Sequence, residues 1–337
     1  MQILNESNIG IHPLLTIAIP TYNRSNYLDL CLKRIFEEIE TLSINNRCLV
    51  KVYVSDNAST DETHNVISKY AVKYFDFITI VVNDSNIGGD RNIVQCYDSA
   101  ISPYVWVLGD DDTILPDCLA TILDALQNQD LDILYLNNYW FTANYTEREL
   151  PQKMHGVSKF GEPLEFVRRT NVMVTFISAL VVRSSIGLGL RSELLGSYLV
   201  QFSWVLPLLR DGKCFAIIED CVVAAKGSNS GGYGLVKVFG SNLVRITNEI
   251  LKDKPDVARA IQNGTIVNFF PGFILDFRKG NSRFADKDMG VSLKEAYGDN
   301  WRYYVFLAPL IQLPLFVANY YHLFLKVIRR LFRSVFL

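Results

Sequence analysis

The sequence predicts an α/β protein with a doubly wound, mostly parallel sheet and a helical, apolar C-terminal extension. Apolar runs of strand length alternate with segments of helical periodicity through the first 140 residues. Such alternation favours parallel strands joined by helices. Beyond residue 236 the pattern becomes helical. With 337 residues, of which 49% are hydrophobic, the chain can bury a large core.

Five apolar runs predict buried strands, because they have strand length and end in polar turns. They are LLTIAI (14–19), CLVKVYVSDNAST (48–60), FITIVVNDSN (77–86), YVWVLGDDD (104–112) and LDILYLNNYWF (131–141). Residues 171–185 predict a strand pair, or one strand with a helical lead. Residues 202–234 predict a helix, a strand and a Gly/Ser-rich loop.

Four helices are predicted between these strands. They cover YNRSNYLDLCLKRIFEEIE (22–40), residues 59–74, GGDRNIVQCYDSAI (88–101) and PDCLATILDALQ (116–127). In the first, apolar residues from Leu28 to Ile39 recur at helical spacing. Ser59 opens the second, and Pro116 suits the first turn of the fourth.

Composition and charge exclude several classes of protein. The net charge of −2 provides no basic field that would attract nucleic acid. The six cysteines are widely spaced, which argues against structural zinc and fits a reducing compartment. The first residues lack the basic and apolar regions of a secretory signal, so we expect a cytoplasmic catalytic part.

Polar clusters follow four of the predicted strands. They are Thr21-Tyr22-Asn23, Ser55-Asp56-Asn57, Asn83-Asp84 and Asp110-Asp111-Asp112. Ligands bind at the carboxyl ends of parallel strands, so the four clusters predict one site. Adjacent carboxylates repel each other and require a positive partner, for which Mg²⁺ is suited. A solvated loop or a helix N-terminus is the alternative explanation for the three aspartates.

Four segments carry a family resemblance: TIAIPTYNRSNYLDLCLKRI, VYVSDNASTDET, NDSNIGGDRN and WVLGDDDTILPDCL. In order and spacing they resemble the family 2 glycosyltransferases, which have the GT-A fold. SDNASTD, NIGGDRN, ISALVVRSS and GSNSGGYG more narrowly resemble bacterial O-antigen sugar transferases of the abequosyltransferase type. The resemblance implies a catalytic domain over 1–235, with a nucleotide-sugar half at 14–140 and an acceptor half at 141–235. A helical region would follow at 236–337.

The resemblance also implies a site that binds a nucleoside-diphosphate sugar together with Mg²⁺ or Mn²⁺. The implied donor-binding residues are Pro20, Thr21, Tyr22, Asn23, Asp56, Asn86, Gly88, Arg91, Asn92, Asp110 and Lys226. Asp56 would read the base, and Arg91 would suit phosphate. Asp111 and Asp112 would hold the metal; in the other register, a bare D-x-D, Asp110 would replace Asp111.

The implied reaction is transfer of a hexosyl or deoxyhexosyl group to a saccharide hydroxyl in O-antigen or capsule synthesis. An inverting transfer needs a general base. The family's acidic pair is expected near Val200-Gln201-Phe202, which contains no acid. Glu193 upstream is the first candidate base and Asp211 downstream the second. A sugar-phosphate nucleotidyltransferase and an inactive nucleotide-sugar-binding protein are the alternatives, although a nucleotidyltransferase usually has a Gly-rich, basic loop where this chain has PTYNRSN. No P-loop is present and no G-x-G-x-x-G follows the first strand, which argues against an NTPase or a dehydrogenase.

The tail, residues 301–337, predicts peripheral contact with the inner face of the cell membrane and a lipid-linked acceptor. Residues 303–325 carry no charge, and about 20 apolar residues suffice to span a bilayer. Prolines and polar residues interrupt this stretch, and cations follow it, which favours interfacial helices. The aromatic residues expected at headgroup level are Trp301, Tyr303, Tyr304, Tyr320 and Tyr321. The alternative is a helix pair packed on protein.

Overall fold

The computed structural model describes residues 12–146, 156–184, 190–227, 234–281 and 288–331. Within these ranges the strands form one nine-stranded sheet. The strands are β1 Leu15–Thr21, β2 Val50–Asp56, β3 Ile78–Val82, β4 Tyr104–Val107, β5 Thr113–Ile114, β6 Ile133–Phe141, β7 Val157–Phe160, β8 Leu180–Arg183 and β9 Phe215–Lys226. All five strands predicted in the N-terminal part are present, as β1 to β4 and β6.

Helices follow each of the first four predicted strands, as expected. The α-helices are α1 Ser25–Thr41, α2 Ile44–Arg47, α3 Thr63–Lys73, α4 Gly89–Asp98, α5 Cys118–Gln127, α6 Pro163–Thr170, α7 Leu190–Glu193, α8 Phe202–Asp211, α9 Leu243–Ile250, α10 Pro255–Gly264, α11 Phe270–Arg278, α12 Met289–Tyr297, α13 Ala308–Gln312 and α14 Leu315–Leu331. Short 3₁₀ turns cover Asn171–Thr175 and Ile177–Ala179, and π-helical turns cover Lys237–Asn242, Thr265–Phe269 and Tyr303–Leu307.

The strand order is β3-β2-β1-β4-β8-β6-β9-β5, and β7 pairs with β9. β1 pairs in parallel with both β2 and β4, and β2 pairs in parallel with β3. β8 is antiparallel to both β4 and β6, so β6 runs in the same direction as β4. The five predicted strands therefore share one direction. The chain order reverses on either side of β1, and such a switch point opens a crevice for ligands.

The apolar face predicted for α1 is buried. Leu28, Cys31, Leu32, Ile35 and Ile39 are each at most 2% exposed.

The chain forms two compact units. Unit 1 comprises 1–158, 177–186 and 217–227, and unit 2 comprises 159–176, 187–216 and 228–337.

The C-terminal helices of unit 2 are interrupted where the prolines predict. Pro309 lies in the first turn of α13, and the backbone is extended at Leu313 before α14. Among the residues that the structure describes, we find no helix with the length and apolar character to cross a bilayer.

Tyr303 and Tyr321 do not fit the headgroup positions that the sequence predicts for them. Tyr303 is only 4% exposed, because it packs with Phe306, Leu310 and other residues of the apolar core of unit 2. Tyr321 is partly buried, and its hydroxyl donates to the Val305 carbonyl oxygen at 3.0 Å. The prediction is wrong for these two side chains, whereas Trp301, Tyr304 and Tyr320 are exposed.

Candidate functional site

The ends of β1, β2 and β4 meet in unit 1, as the convergence of polar clusters predicts. Thr21, the last residue of β1, pairs in register with Asp56, the last residue of β2. The Thr21 hydroxyl donates to Asp110 Oδ2 at 2.8 Å, which links the end of β1 to the segment after β4. The Thr21 and Asp110 side chains are therefore in direct contact, and Asp56 lies beside Thr21 on the neighbouring strand.

Arg24 supplies the positive charge that the three adjacent aspartates require. Its Nη1 donates to Asp110 Oδ1 at 3.0 Å and to Asp111 Oδ2 at 2.7 Å. The Arg24 side chain is 40% exposed, whereas those of Asp110 and Asp111 are 5% and 9% exposed. Sequence reasoning expected a positive partner here but assigned that role to a metal alone. The position of Arg24, three residues after β1, was the available signal.

Burial disfavours the charged forms of two carboxylates in the acidic cluster. Desolvation, together with the negative charge of Asp111, raises the pKa of Asp110 to about 6, although Arg24 lowers it. Desolvation, followed by the charge of Asp111, raises the pKa of Asp112 to about 7. A cation bound beside these carboxylates would favour their charged forms.

Asp112 and Gly109 are packed tightly against other elements of unit 1. Asp112 Oδ1 accepts from the Lys226 backbone N–H at 2.8 Å, and Gly109 N donates to Ser178 Oγ at 2.9 Å. A Cβ on Gly109 would lie 3.1 Å from Asp112 Oδ2 and 3.2 Å from Asp111 Oδ1. The glycine therefore leaves room for the carboxylates.

The acidic cluster fits a divalent cation that arrives with phosphate. Carboxylate oxygens are hard ligands of the kind that Mg²⁺ and Mn²⁺ prefer. The described ranges contain no set of three or more His, Cys, Asp or Glu side chains placed to hold a metal ion. Mg²⁺ commonly takes one or two carboxylates and completes its shell with water and substrate phosphates. Asp111 and Asp112, or Asp110 in the other register, could supply those carboxylates.

The loops after β1 and β2 are joined around Asp56, which is 1% exposed. Asp56 Oδ1 accepts from Ser59 N at 3.1 Å. Asn23 donates its backbone N–H to Ser59 Oγ at 2.8 Å, and its Oδ1 accepts from Thr60 N at 2.7 Å. Tyr22, the neighbour of Asn23, is exposed, and Pro20 lies within β1. Four predicted donor-binding residues, together with Thr21, thus surround the ends of β1 and β2.

Of the predicted donor-binding residues after β3, Asn86 and Asn92 make hydrogen bonds within the protein, whereas Arg91 is exposed. Asn92 is buried, and its Oδ1 accepts from Ser55 Oγ at 2.6 Å while its Nδ2 donates to the Ser55 carbonyl at 3.1 Å. Asn86 Oδ1 accepts from Asn57 Nδ2 at 2.8 Å. Gly88 has a φ of +89°, a conformation that favours glycine, and it precedes α4. Arg91, in the first turn of α4, is exposed.

Lys226 ends β9 in unit 1. Its Nζ donates to the Thr142 carbonyl and lies 5.0 Å from the Phe141 ring centroid. The side chain is therefore engaged with the end of β6. Residues 228–233 of the predicted Gly/Ser-rich loop, like Arg333 of the tail, lie outside the described residues.

The two candidate bases lie in unit 2. Glu193 ends the four-residue helix α7 and is exposed. Asp211 ends α8, and both of its oxygens accept from the Arg210 guanidinium, at 2.9 and 2.7 Å. Those hydrogen bonds lower the pKa of Asp211. Gln201, in the segment where the family's acids were expected, donates from Nε2 to the Thr175 carbonyl at 2.7 Å.

Comparison with known sequences gives one family match and several distant relatives. The sequence model described as glycosyl transferase family 2 matches residues 16–186. Over 116 residues the chain is 34% identical to the abequosyltransferase RfbV of Salmonella typhimurium. The aligned region covers 34% of this chain and 33% of that protein. The matched region thus spans about a third of the length of this relative.

Solved structures share the fold of the chain. S. aureus TarS 1–349 in complex with UDP aligns with a TM-score of 0.60 at 17% identity, covering 93% of this chain and 88% of that one. A mannosyltransferase from Pyrobaculum calidifontis, in complex with GDP-Man and Mn²⁺, aligns with a TM-score of 0.51 at 16% identity. That alignment covers 96% of this chain and 88% of the mannosyltransferase. At these identities the likeness concerns the fold.

Proposed function

Because its family model matches residues 16–186, the chain belongs to glycosyl transferase family 2, and we propose that it moves a sugar from a nucleoside-diphosphate donor to a saccharide hydroxyl. The acceptor is proposed to be lipid-linked, and the pathway to build a bacterial surface polysaccharide such as O-antigen. The similarity to an abequosyltransferase and the UDP- and GDP-Man-bound structures of similar fold support this proposal.

One observation carries the proposal: the buried acidic cluster at the switch point between β1 and β4. Asp110 and Asp111 are bridged by Arg24, and Asp56 lies at the end of the neighbouring strand. To bind a nucleotide sugar, a site needs a hydrogen-bonding group for the base and a positive charge for the diphosphate. Asp56 suits the first requirement. A metal held by the carboxylates suits the second.

The proposed roles follow from the side chains. A divalent cation held by Asp111 and Asp112 would supply Lewis-acid stabilisation of the leaving diphosphate. Asp110, held by Thr21, would accept a hydrogen bond from the donor ribose. Arg91 is exposed and would contact phosphate. The sugar–diphosphate bond breaks as the acceptor oxygen attacks the anomeric carbon, and in an inverting transfer a base removes the acceptor proton.

Glu193 is the stronger of the two proposed bases. A general base must accept a proton at the working pH, so a lowered pKa weakens it. The bidentate contact with Arg210 lowers the pKa of Asp211 and occupies both of its oxygens. Glu193 is exposed at the end of α7, and no arginine or lysine among the described residues holds its carboxylate in this way.

A panel of nucleotide sugars tests the proposed function. With Mg²⁺ or Mn²⁺ present, we expect slow hydrolysis of the correct donor and release of its nucleoside diphosphate. Asp56→Ala should raise the donor KM by roughly 10-fold or more, because a base N–H would lose a charged acceptor. Pyrophosphate-dependent turnover would instead identify a nucleotidyltransferase. Absence of both donor turnover and nucleotide binding would contradict a transferase.

The proposed membrane contact is made by α14. Phe316, Tyr320, Leu323, Phe324 and Val327 are exposed and recur at the spacing of one helix face. Ala318 and Leu325, on the opposite face, are buried in the core of unit 2. Exposed cations at positions 326 and 330 flank the apolar face. An apolar stripe beside positive charge complements an anionic lipid surface, which is the occupant that we propose.

Vesicle sedimentation of the full chain tests this contact. We expect binding to vesicles of phosphatidylcholine with phosphatidylglycerol and weaker binding to phosphatidylcholine alone. Replacing Lys326 and Arg330 by Gln should lower partition roughly 30-fold, at about 1 kcal/mol per cation. Tyr320→Ser with Phe324→Ser should also reduce binding. The matched control, Val72→Ser with Phe75→Ser, removes exposed apolar groups from unit 1. Membrane contact would be contradicted if the Tyr320/Phe324 and Val72/Phe75 double variants lost vesicle binding equally. It would also be contradicted if the chain formed a dimer that only the Tyr320/Phe324 double variant abolished.

A further inference from the structure

A cavity of 570 Å³ is lined by residues of unit 2. It is a partly open cavity, lined by residues of α9, α10 and α12 and of the turn that follows α12. Its volume falls in the range of about 300–1,000 Å³ that is typical of small-molecule sites. None of the roles proposed above uses this cavity.

Two arginines line the cavity. They are Arg259 and Arg302, and the acidic Asp299 also belongs to its wall. Arg259 Nη1 lies 3.7 Å from Asp256 Oδ1, but both side chains of this pair are largely exposed, so the pair is weak. Arg302 is partly buried, and desolvation together with the charge of Arg259 lowers its pKa. Two guanidinium groups that disfavour each other's charge would gain free energy from an anion placed between them.

An aromatic ring and a wall of amides accompany these charges. The Trp301 ring lines the cavity and is 49% exposed, and the Arg302 guanidinium lies 4.7 Å from its centroid. Gln262 Nε2 donates to Asn248 Oδ1 at 2.8 Å. Asn300 Oδ1 accepts from the backbone N–H of Arg302 at 3.1 Å. These contacts hold the amide groups in place, and each amide keeps further donors or acceptors for a ligand.

From this combination we propose that the cavity binds a saccharide that carries a phosphate or carboxylate group. The anionic group lies between Arg259 and Arg302, which suit the oxygen pairs of such groups. The sugar ring packs on Trp301, and its hydroxyls bind the amides of Asn248 and Gln262. A purely apolar ligand would desolvate the two guanidinium groups without adding an anion. Occupancy of this cavity does not require the proposed transfer reaction.

Titration of the full-length, ¹⁵N-labelled protein tests the proposal. The probes are glucose 6-phosphate, glucuronate, methyl glucoside and inorganic phosphate. We expect the indole N–H resonance of Trp301, assigned from Trp301→Phe, to shift saturably with the two anionic sugars. The resonance of Trp140, an exposed tryptophan in unit 1, should not follow it. Methyl glucoside lacks the anionic group and inorganic phosphate lacks the sugar ring. Each should therefore bind at least roughly tenfold more weakly than the anionic sugars.

Variants make the test specific to the arginines. Arg302→Gln should weaken binding of glucose 6-phosphate roughly tenfold or more. Arg245→Gln, an exposed change in α9 outside the cavity wall, should leave it unchanged. If Arg302→Gln unfolds, Arg259→Gln provides a second test of glucose 6-phosphate binding, because its side chain is 65% exposed and its replacement should not disturb the fold. The proposal is overturned if neither anionic sugar shifts Trp301 saturably. It is equally overturned if phosphate alone, or methyl glucoside, binds as tightly as glucose 6-phosphate.

Discussion

Asp111→Asn is expected to reduce sugar transfer by roughly 100- to 1,000-fold while the protein stays folded, as is typical when one electrostatic contact to the transition state is lost. Asp111 lies beside two other buried carboxylates and shares Arg24 with Asp110. Removing its charge relieves repulsion within the cluster, so the thermal unfolding temperature should stay the same or rise. Transfer rate, Mn²⁺ binding by calorimetry and thermal unfolding are the three measurements.

Two companion variants decide which carboxylates hold the metal. Asp110→Asn should mainly raise the donor KM if this residue faces the ribose, and Asp112→Asn should weaken Mn²⁺ binding in either register. Asp76→Asn, an exposed change before β3, is the control and should retain full activity. Near-normal turnover by Asp111→Asn at saturating metal, with loss of turnover in Asp110→Asn, would place the metal on the other pair.

Gly264→Ala is expected to lower the free energy of unfolding by at least about 1–3 kcal/mol, which is the usual cost of overpacking. Gly264 ends α10, and an added Cβ would lie 2.5 Å from Asn171 Cβ and 2.9 Å from Val172 N. Both contacts lie within unit 2, and one is to backbone, which cannot rotate away. In an unobstructed helix the same change would stabilise by up to about 1 kcal/mol. Urea unfolding of the two proteins measures the difference.

Gly272→Ala is the matched control for this prediction. Gly272 lies in α11 of the same unit, and an added Cβ there would meet no atom within 4 Å. We therefore expect Gly272→Ala to be neutral or slightly stabilising. If Gly264→Ala unfolds at the same urea concentration as Gly272→Ala, the close packing of Asn171 and Val172 against Gly264 is contradicted.

Local patterns in the sequence predict most of the sheet. The first four strands and their helices follow from residues close in the chain, and the helical lead before β8 is one of the two alternatives that residues 171–185 offered. The position of β8 between β4 and β6 does not follow from such patterns, because it depends on pairing between residues about 50 to 80 positions apart. β5, at two residues, is too short for any periodicity.

The candidate site shows the same division. The convergence of polar clusters follows from strand direction alone, so the acidic cluster and the nearby Asp56 could be expected from the sequence. The contacts of Arg24 and Ser178 could not, because they join residues 86 and 69 positions apart through side-chain reach. Among 33 lysines and arginines, sequence position alone does not select the one that bridges the carboxylates.

The hydrogen bonds of Asn23 and Asn92 have a consequence for how a donor would bind. Asn92 holds the end of β2 through Ser55, and Asn23 joins the loops after β1 and β2 through Ser59 and Thr60. The backbone around Asp56 is therefore already ordered by contacts within the protein. A ligand that meets such a preorganised surface loses little affinity to the conformational entropy of its receptor. For the proposed donor, the chain would then contribute a rigid base-binding edge, and differences between donors would arise from contacts rather than from loop folding.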